Sequence, residues 1–220
     1  EAVIDVSSFQ AGDARVLVLG DDKDMGRNLT AALKAGRIPY DHAPDETAAF
    51  DMLYRARENN NPFHVIIMDV KESDQYARNL GEKIKTDPKF DHLKMLLLTG
   101  VGRKGDARAF EKIGFSAFLS KPVEKTVLFD CIKAVLSIQG NSQTIGMPII
   151  TRYSLEESKK QAHQILIVED MESNLLTAKA LIGKQGYHTH EARNGEQAVQ
   201  YYKQAPCDLI LMDCQMPVMD

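Results

Sequence analysis

The sequence predicts an α/β protein built on a doubly wound, five-stranded parallel sheet, and three patterns support this prediction. Short runs such as Val16–Leu19 and Val65–Met68 are apolar at every position, as strands buried on both faces of a parallel sheet are. Stretches with helical spacing, such as Met25, Leu29 and Leu33, separate these runs. The whole pattern then begins again in the second half of the chain. Strands that alternate with helices indicate right-handed crossovers that cover both faces of the sheet.

The first half of the chain supplies all five β-α units. Met95–Leu98 and Ala117–Leu119 are two further apolar runs of strand length and are predicted to be the fourth and fifth strands. Apolar residues from Val123 to Leu136 then trace one face of a helix that ends near Ser137. We therefore predict one complete domain over residues 13–138.

A second copy of the pattern starts near residue 164. Val16–Leu19 corresponds to Ile165–Val168 at an offset of 149 positions (165 minus 16), and Val65–Asp69 corresponds to Leu209–Asp213 at 144 positions (209 minus 65). The first copy therefore carries five additional residues, which we place in the polar stretch Arg57–Asn61. The sequence predicts two domains of one type in tandem.

The second copy, residues 164–220, holds only the first three strands of the pattern. Three strands leave an open sheet edge, so we expect further residues beyond Asp220, disorder, or pairing with another molecule, including a dimer or a domain swap. Residues 139–163 between the copies are predicted to be a linker. The spacing of Ser154 and Glu157 matches a capping box and predicts a short helix from there to about Ala162.

Composition excludes several classes of function. The net charge of −4 and the pI of about 5.9 predict no broad basic surface for nucleic acid. No apolar run approaches the length of a membrane span, and the N-terminus lacks the layout of a signal peptide, so we expect no membrane contact. Cys131, Cys207 and Cys214 form neither a zinc spacing nor a disulfide framework, which favours reduced thiols and a cytoplasmic location.

Polar side chains follow four of the predicted strands, at the edge of the sheet where ligands of open α/β folds bind. They are Asp21 and Asp22 after strand 1, Asp69 after strand 3, Thr99 after strand 4 and Lys121 after strand 5. Clustered carboxylates are costly unless a cation neutralises them, and oxygen ligands suit a hard ion such as Mg²⁺. A carboxylate can also attack phosphorus, with lysine and metal stabilising the transferring group. The pattern favours aspartyl-phosphate chemistry.

This constellation resembles the response-regulator receiver domain of two-component signalling. The resemblance covers nearly all of the first copy and the first half of the second, and it implies a flavodoxin-like fold with strand order 2-1-3-4-5. The residues that match family positions are the phosphoacceptors Asp69 and Asp213, the acidic pair Glu169 and Asp170, the hydroxyl residue Thr99, the Lys121-Pro122 pair with its usual cis peptide, and the aromatic switch residue Phe118. Residues 213–220, Asp-Cys-Gln-Met-Pro-Val-Met-Asp, resemble the phosphoacceptor loop of the family.

The resemblance also implies a magnesium site and a phosphodonor. In the first copy Mg²⁺ would be held by Asp21, by Asp69 and by the main-chain carbonyl of Lys71. Asp22 is a further candidate ligand there. In the second copy the implied metal ligands are Glu169, Asp170, Asp213 and Gln215. The phosphoryl group would come from a phospho-histidine, either in the dimerisation domain of a histidine kinase or in a histidine phosphotransfer domain.

The first copy departs from the family pattern in two places. The gapless offset puts Gly20 where the first acid belongs, whereas a slip of one residue would make Asp21 and Asp22 the acidic pair; we favour the gapless alignment. The loop after Asp69 also lacks the Met-Pro pattern. An alternative function follows, in which the first copy is a pseudo-receiver scaffold that docks on a kinase core or on the second copy. A nucleotide-binding protein is disfavoured, because no glycine-rich phosphate loop follows either first strand.

The linker carries a resemblance of its own. Residues 147–155, Met-Pro-Ile-Ile-Thr-Arg-Tyr-Ser-Leu, resemble the segment that joins tandem receivers in bacterial hybrid sensor histidine kinases. This implies that the chain is a piece of a longer kinase, a transferase, although it contains neither the phospho-histidine helix nor the ATP-binding domain of one. Any kinase activity of the parent protein is inferred by analogy.

Overall fold

A computed structural model describes residues 14–20, 27–70, 74–100, 106–137 and 148–216 of the chain. It divides into two compact units, Glu1–Leu155 and Glu156–Asp220, which we call the first and second units. The division falls inside the segment predicted as linker.

The first unit contains five strands and six helices among the described residues, counting α6, whose last residues belong to the second unit. In chain order the elements are β1 (Val16–Leu19), α1 (Arg27–Ala35), β2 (Tyr40–Ala43), α2 (Glu46–Glu58), β3 (Val65–Val70), α3 (Asp74–Thr86), β4 (Lys94–Thr99), α4 (Asp106–Ile113), β5 (Ala117–Ser120), α5 (Lys125–Ser137) and α6 (Arg152–Ala162). A short 3-10 helix, Pro88–Phe90, precedes β4. All strands are parallel, in the order β2-β1-β3-β4-β5. The predicted fold class, a flavodoxin-like receiver fold, is confirmed.

The core of this unit has two layers because each buried strand sends alternate side chains to opposite faces. Along β3, Ile66 and Met68 pack with apolar residues of α2, α3 and α4, whereas Val65 and Ile67 pack with those of α1 and α5. Every one of these four side chains is fully buried. β3 is therefore packed on both faces, and it places Asp69 near the carboxyl end of the sheet.

The second unit repeats the first part of this arrangement. Its elements are β6 (Gln164–Val168), α7 (Glu172–Lys184), β7 (His188–Ala192), α8 (Gly195–Gln204) and β8 (Leu209–Met212), and its sheet is parallel in the order β7-β6-β8. The four residues of β8 are 40 to 49% exposed. Their counterparts in β3 are buried by β4 and its neighbouring helices, and the described residues of the second unit contain no equivalent of β4. β8 is thus an apolar sheet edge within the described chain.

The five-residue difference between the copies lies where the sequence predicted it. α2 has 13 residues and α8 has 10, so three of the additional residues lengthen the helix. The other two lengthen the connection to the next strand, which spans residues 59–64 in the first unit and 205–208 in the second. The helix starts are equivalent: the carboxylate of Asp45 and the amide oxygen of Asn194 each accept a hydrogen bond from the main-chain N–H three residues on.

Helix α6 starts earlier than predicted. The expected capping box of Ser154 and Glu157 is wrong, because Thr151 caps the helix instead. The Ser154 main-chain N–H donates to Thr151 Oγ1 at 3.2 Å, and the Thr151 main-chain N–H donates to Ser154 Oγ at 2.8 Å. This reciprocal pair has the geometry of a capping box one turn earlier, so the helix begins at Arg152.

The three cysteines are expected to differ widely in their rates of alkylation. Cys131 is fully buried in α5, and burial together with the nearby Asp130 carboxylate raises the pKa of its thiol, whereas Cys214 is exposed. We expect Cys214 to react first and Cys131 only when the first unit unfolds. Mass mapping during a denaturant titration checks this order. Alkylation of Cys131 in the native protein at the rate of Cys214 would contradict the packing of α5.

Candidate functional site

The candidate site of the first unit is built around Asp69, the last but one residue of β3. Its side chain is only 5% exposed, because β1 and β4 flank β3 on both sides. The Nζ of Lys121 contacts Asp69 Oδ1 directly, and the lysine side chain is 30% exposed. A buried carboxylate requires a partner of opposite charge, and within the described residues Lys121 is that partner.

Thr99 and Lys121 are brought to Asp69 by the register of the sheet. Thr99 is the last residue of β4, is buried, and lies opposite Val70 in the ladder with β3. The main-chain N–H of Lys121 donates to the Thr99 carbonyl at 2.7 Å, which holds the end of β5 against the end of β4. The Lys121–Pro122 peptide is cis, as the resemblance implied. Asp69, Thr99 and Lys121 therefore lie at one edge of the sheet.

Gly20 closes the site on the side of β1. A Cβ at this position would lie 2.8 Å from the Asp69 carbonyl oxygen and 3.2 Å from Asp69 Cβ. The Gly20 carbonyl oxygen accepts a 2.7 Å hydrogen bond from His42 Nε2 at the end of β2. Sequence reasoning missed this histidine, although its position one residue before Ala43 puts it beside the end of β1. Glycine thus permits a close approach of the main chains of β1 and β3 at this point.

The register of the two sheets makes Gly20 the structural equivalent of Glu169. The Gly20 N–H donates to the Ala43 carbonyl at 3.2 Å, and the Glu169 N–H donates to the Ala192 carbonyl at 3.0 Å. Both acceptors are related by the same offset of 149 positions. This geometry agrees with the gapless alignment. Asp21, Asp22 and Lys71, the other candidate metal ligands of the first unit, lie outside the described residues.

Phe118 lies inside the core of the first unit, on β5, the strand that Lys121 follows directly. Its ring is 5.6 Å from that of Phe110 in α4, between centroids, and the side chain is 7% exposed. A buried ring on the strand next to the site is compatible with a switch role, but packing alone accounts for its position in this conformation.

The candidate site of the second unit is a cluster of three carboxylates. Glu169 and Asp170 follow β6, Asp213 follows β8, and each offers an oxygen within 4.8 Å of the others. All three are partly exposed. The Asp213 N–H donates to the Val168 carbonyl at 3.0 Å, so the parallel ladder of β6 and β8 extends to the cluster and brings the acids together.

Local hydrogen bonds orient two of these carboxylates. Glu169 Oε1 accepts from the main-chain N–H of Met171 at 3.2 Å and from Asn174 Nδ2 at 3.3 Å. Asp213 Oδ1 accepts from the main-chain N–H of Gln215 at 3.1 Å. These hydrogen bonds were not predicted from the sequence, which assigned only a metal role to Gln215.

The cluster fits a hard divalent cation. Carboxylate oxygens are the preferred ligands of Mg²⁺, and several within a few ångströms repel one another without a cation. Across the described residues of the second unit, the ion pairs involve other acids, namely Glu172, Glu191 and Asp208, and none involves the cluster. Among the described residues, Lys121 contacts Asp69 in the first unit, whereas Asp213 in the second unit lies beside two further acids, Glu169 and Asp170.

Comparison with known families agrees with this geometry. Residues 165–220 match the family model described as the response regulator receiver domain. The match begins within β6 and includes the three carboxylates of the cluster. These residues are therefore similar to response regulator receiver domains.

Curated relatives include both kinases and response regulators. The signal transduction histidine-protein kinase BarA of Escherichia coli is 33% identical over 115 residues, which is 52% of this chain and 12% of the relative. The chemotaxis protein CheY of Bacillus subtilis is 45% identical over 60 residues, 27% of this chain and 50% of the relative. The alignments thus span about an eighth of BarA and half of CheY.

Among solved structures, a putative response regulator from Chloroflexus aurantiacus is similar, with 23% identity and a TM-score of 0.49. The alignment covers 56% of this chain and 98% of that one.

None of the helices in the described part of the chain has both the length and the apolar character needed to cross a bilayer.

Proposed function

We propose that the protein is a phosphoacceptor module of two-component signalling in which Asp213 receives a phosphoryl group from a phospho-histidine. The observation that carries the proposal is the convergence of Glu169, Asp170 and Asp213 at the carboxyl end of a parallel sheet. The donor would be the dimerisation domain of a histidine kinase or a histidine phosphotransfer domain. The homologous kinases and regulators support a donor of this class.

The reaction follows from the orientation of the Asp213 carboxylate. Oδ1 is held by the Gln215 N–H, and Oδ2 accepts no hydrogen bond from the described residues, so Oδ2 is the free nucleophile. An Asp213 oxygen–phosphorus bond forms as the nitrogen–phosphorus bond of the donor breaks. The imidazole leaves with the bonding electron pair and is protonated by solvent. A bound Mg²⁺ would neutralise the acids and the phosphoryl oxygens. Glu169 and Asp170 would hold that ion.

The first unit is proposed to carry the same chemistry at Asp69. Lys121 would transfer its contact from Asp69 to the phosphoryl oxygens, and the Thr99 hydroxyl would donate to another of them. Phe118 would respond through β5, which ends directly before Lys121. The buried Asp69 and its direct contact with Lys121 support this assignment. The added negative charge would then bias a two-state element of the fold.

A second candidate function for the first unit is that of a pseudo-receiver scaffold. The observation that favours it is Gly20, which replaces the first acid and leaves no room for a side chain beside Asp69. In such a scaffold Lys121 permanently neutralises Asp69, and the unit serves as a docking partner for a kinase core or another receiver. We further propose that this chain is part of a hybrid sensor histidine kinase, which the similar kinases support, and that this part is cytoplasmic.

A phosphorylation assay tests the proposal. The protein is incubated with Mg²⁺ and acetyl phosphate, and the modified peptide is mapped by mass spectrometry. We expect phosphoaspartate at Asp213, lost in Asp213→Asn and kept in the control Glu196→Gln, which changes an exposed acid of the same unit. A folded protein that takes no label at Asp213 would contradict the proposal.

The same assay separates the two functions of the first unit. Label at Asp69 that disappears in Asp69→Asn would identify a working receiver despite Gly20. Absence of label at Asp69 under conditions that modify Asp213 would favour the scaffold. The readout is independent for each peptide, so one unit does not mask the other.

A further inference from the structure

The described part of the linker packs beside β5, where a sixth strand of the first sheet would lie. The Ile150 N–H donates to the Ser116 carbonyl at 2.9 Å, and the Phe118 N–H donates to the Ile150 carbonyl at 2.8 Å. These bonds form a parallel bridge between Ile150 and Ala117, on the free edge of β5. We call residues 148–155 the strap.

The side chains of the strap enter both layers of the core, as those of a sheet strand do. Ile149 packs with the apolar cluster that contains Phe110 and Phe118, whereas Ile150 packs with the opposite cluster that contains Leu119 and Leu128. Both isoleucines are at least nine-tenths buried. Two buried isoleucines on alternate faces show that the docking is specific in register.

The far end of the strap is anchored to the start of α6. Leu155 is buried in the same layer as Ile150. Arg152 Nη2 lies 3.0 Å from Glu124 Oε1, just before α5, although both side chains are exposed and the pair contributes little by itself. The Thr151 and Ser154 caps then fix the helix directly after the docked strand.

β5 connects the strap to the candidate site. Phe118 on β5 donates to Ile150, and Lys121, the residue directly after β5, contacts Asp69. Only Leu119 and Ser120 separate Phe118 from Lys121, so we expect a displacement of the end of β5 to reach the groups that hold Ile150.

We propose that the docking of the strap on β5 depends on the contact between Asp69 and Lys121. The strap thereby reports the state of the Asp69 site. When that contact is lost, β5 shifts and the strap detaches more often from its edge, which frees the start of α6. Residues 148–155 thus carry a change in the first unit into the segment that leads along the chain to the second. The inference needs only the Asp69–Lys121 contact, not phosphorylation of Asp69.

The exchange rate of the Ile150 amide proton, followed by NMR in the whole chain, tests this inference. The amide should be protected in the unmodified protein. In Lys121→Met it should exchange about tenfold faster, a coupling of ordinary size for two linked sites. Lys125→Met, which changes an exposed lysine at the start of α5, is the matched control and should leave the rate unchanged.

A double-mutant cycle that combines Lys121→Met with Asp69→Asn tests whether the faster exchange at Ile150 arises from loss of the contact between Asp69 and Lys121. Each single variant should speed exchange at Ile150, and the double variant should add nothing further, because the same contact is already lost. Linkage also requires the reverse effect, so Ile150→Ser should speed acylation of the Lys121 amine by a water-soluble reagent. This second readout does not depend on the stability of the Lys121 variant.

Three results would overturn the inference. One is an unprotected Ile150 amide in the unmodified chain. The second is faster exchange in Lys121→Met confined to residues 117–121, with Ile150 unchanged. The third is additive effects in the cycle. Phosphorylation at Asp69 is measured in a separate assay. A failure of the proposed phosphorylation can therefore be distinguished from a failure of the proposed coupling between the strap and the Asp69–Lys121 contact.

Discussion

Replacing Asp213 with asparagine is expected to weaken Mg²⁺ binding by the second unit by about tenfold or more, because one of three clustered carboxylates is lost. Glu169→Gln should have an effect of similar size. In both variants the size and shape of the side chain are kept, and its negative charge is removed. Isothermal titration with Mg²⁺, repeated with Mn²⁺, measures the loss.

The control for this prediction is Glu196→Gln, which removes one exposed negative charge from α8 without touching the cluster. Its affinity should equal that of the unmodified protein, and this separates coordination from the general attraction of an acidic surface. Equal affinity in Asp213→Asn and the unmodified protein would mean that the cluster is not the cation site.

Adding a side chain at Gly20 is expected to destabilise the first unit rather than to restore an acidic pair. In Gly20→Ala the new Cβ would meet the Asp69 carbonyl oxygen at 2.8 Å, and that oxygen belongs to the main chain of the central strand β3. Overpacking of this kind costs about 1–3 kcal/mol. Gly20→Glu should carry the same strain and bring no gain in divalent-cation affinity at Asp69.

Gly100→Ala is the matched control for this prediction. Gly100 follows β4 at the same edge of the sheet, and a Cβ there would meet no atom of the described residues within 4 Å. Its free energy of unfolding should stay within about 0.5 kcal/mol of the unmodified value. Thermal unfolding of the two alanine variants gives the comparison. A Gly20→Ala protein as stable as Gly100→Ala would show that β1 can move away from Asp69, and the unit would then tolerate an acid.

Much of the fold was predictable from the sequence because it depends on periodicity. Runs such as Val65–Met68 have no polar face, and only a strand covered on both sides suits them. The five additional residues of the first copy were also placed correctly, since the polar stretch at the end of α2 tolerates extension. The start of α6 was predicted wrongly, because Ser154 resembles an N-cap in sequence but is the third residue of a helix capped by Thr151.

The proximity of several candidate site residues was predictable from the sequence, whereas their individual contacts were not. Parallel strands bring Asp69, Thr99 and Lys121 to one edge, so their proximity follows from the topology. The hydrogen bonds of Glu169 with Asn174, and of His42 with Gly20, depend on local geometry that spacing does not reveal. The docking of Ile149 and Ile150 was missed for a similar reason, as two apolar residues beside Pro148 are too short a signal for a strand.

We propose that Glu169, Asp170 and Asp213 form a divalent-cation site in the second unit, whereas Lys121 contacts Asp69 in the first unit. Paramagnetic broadening of amide resonances during a Mn²⁺ titration of the whole chain tests it most directly, because the ion reports its own position. We predict that amides near Glu169, Asp170 and Asp213 broaden first, well before those near Asp69. Broadening first around Asp69, or at neither site, would contradict the claim.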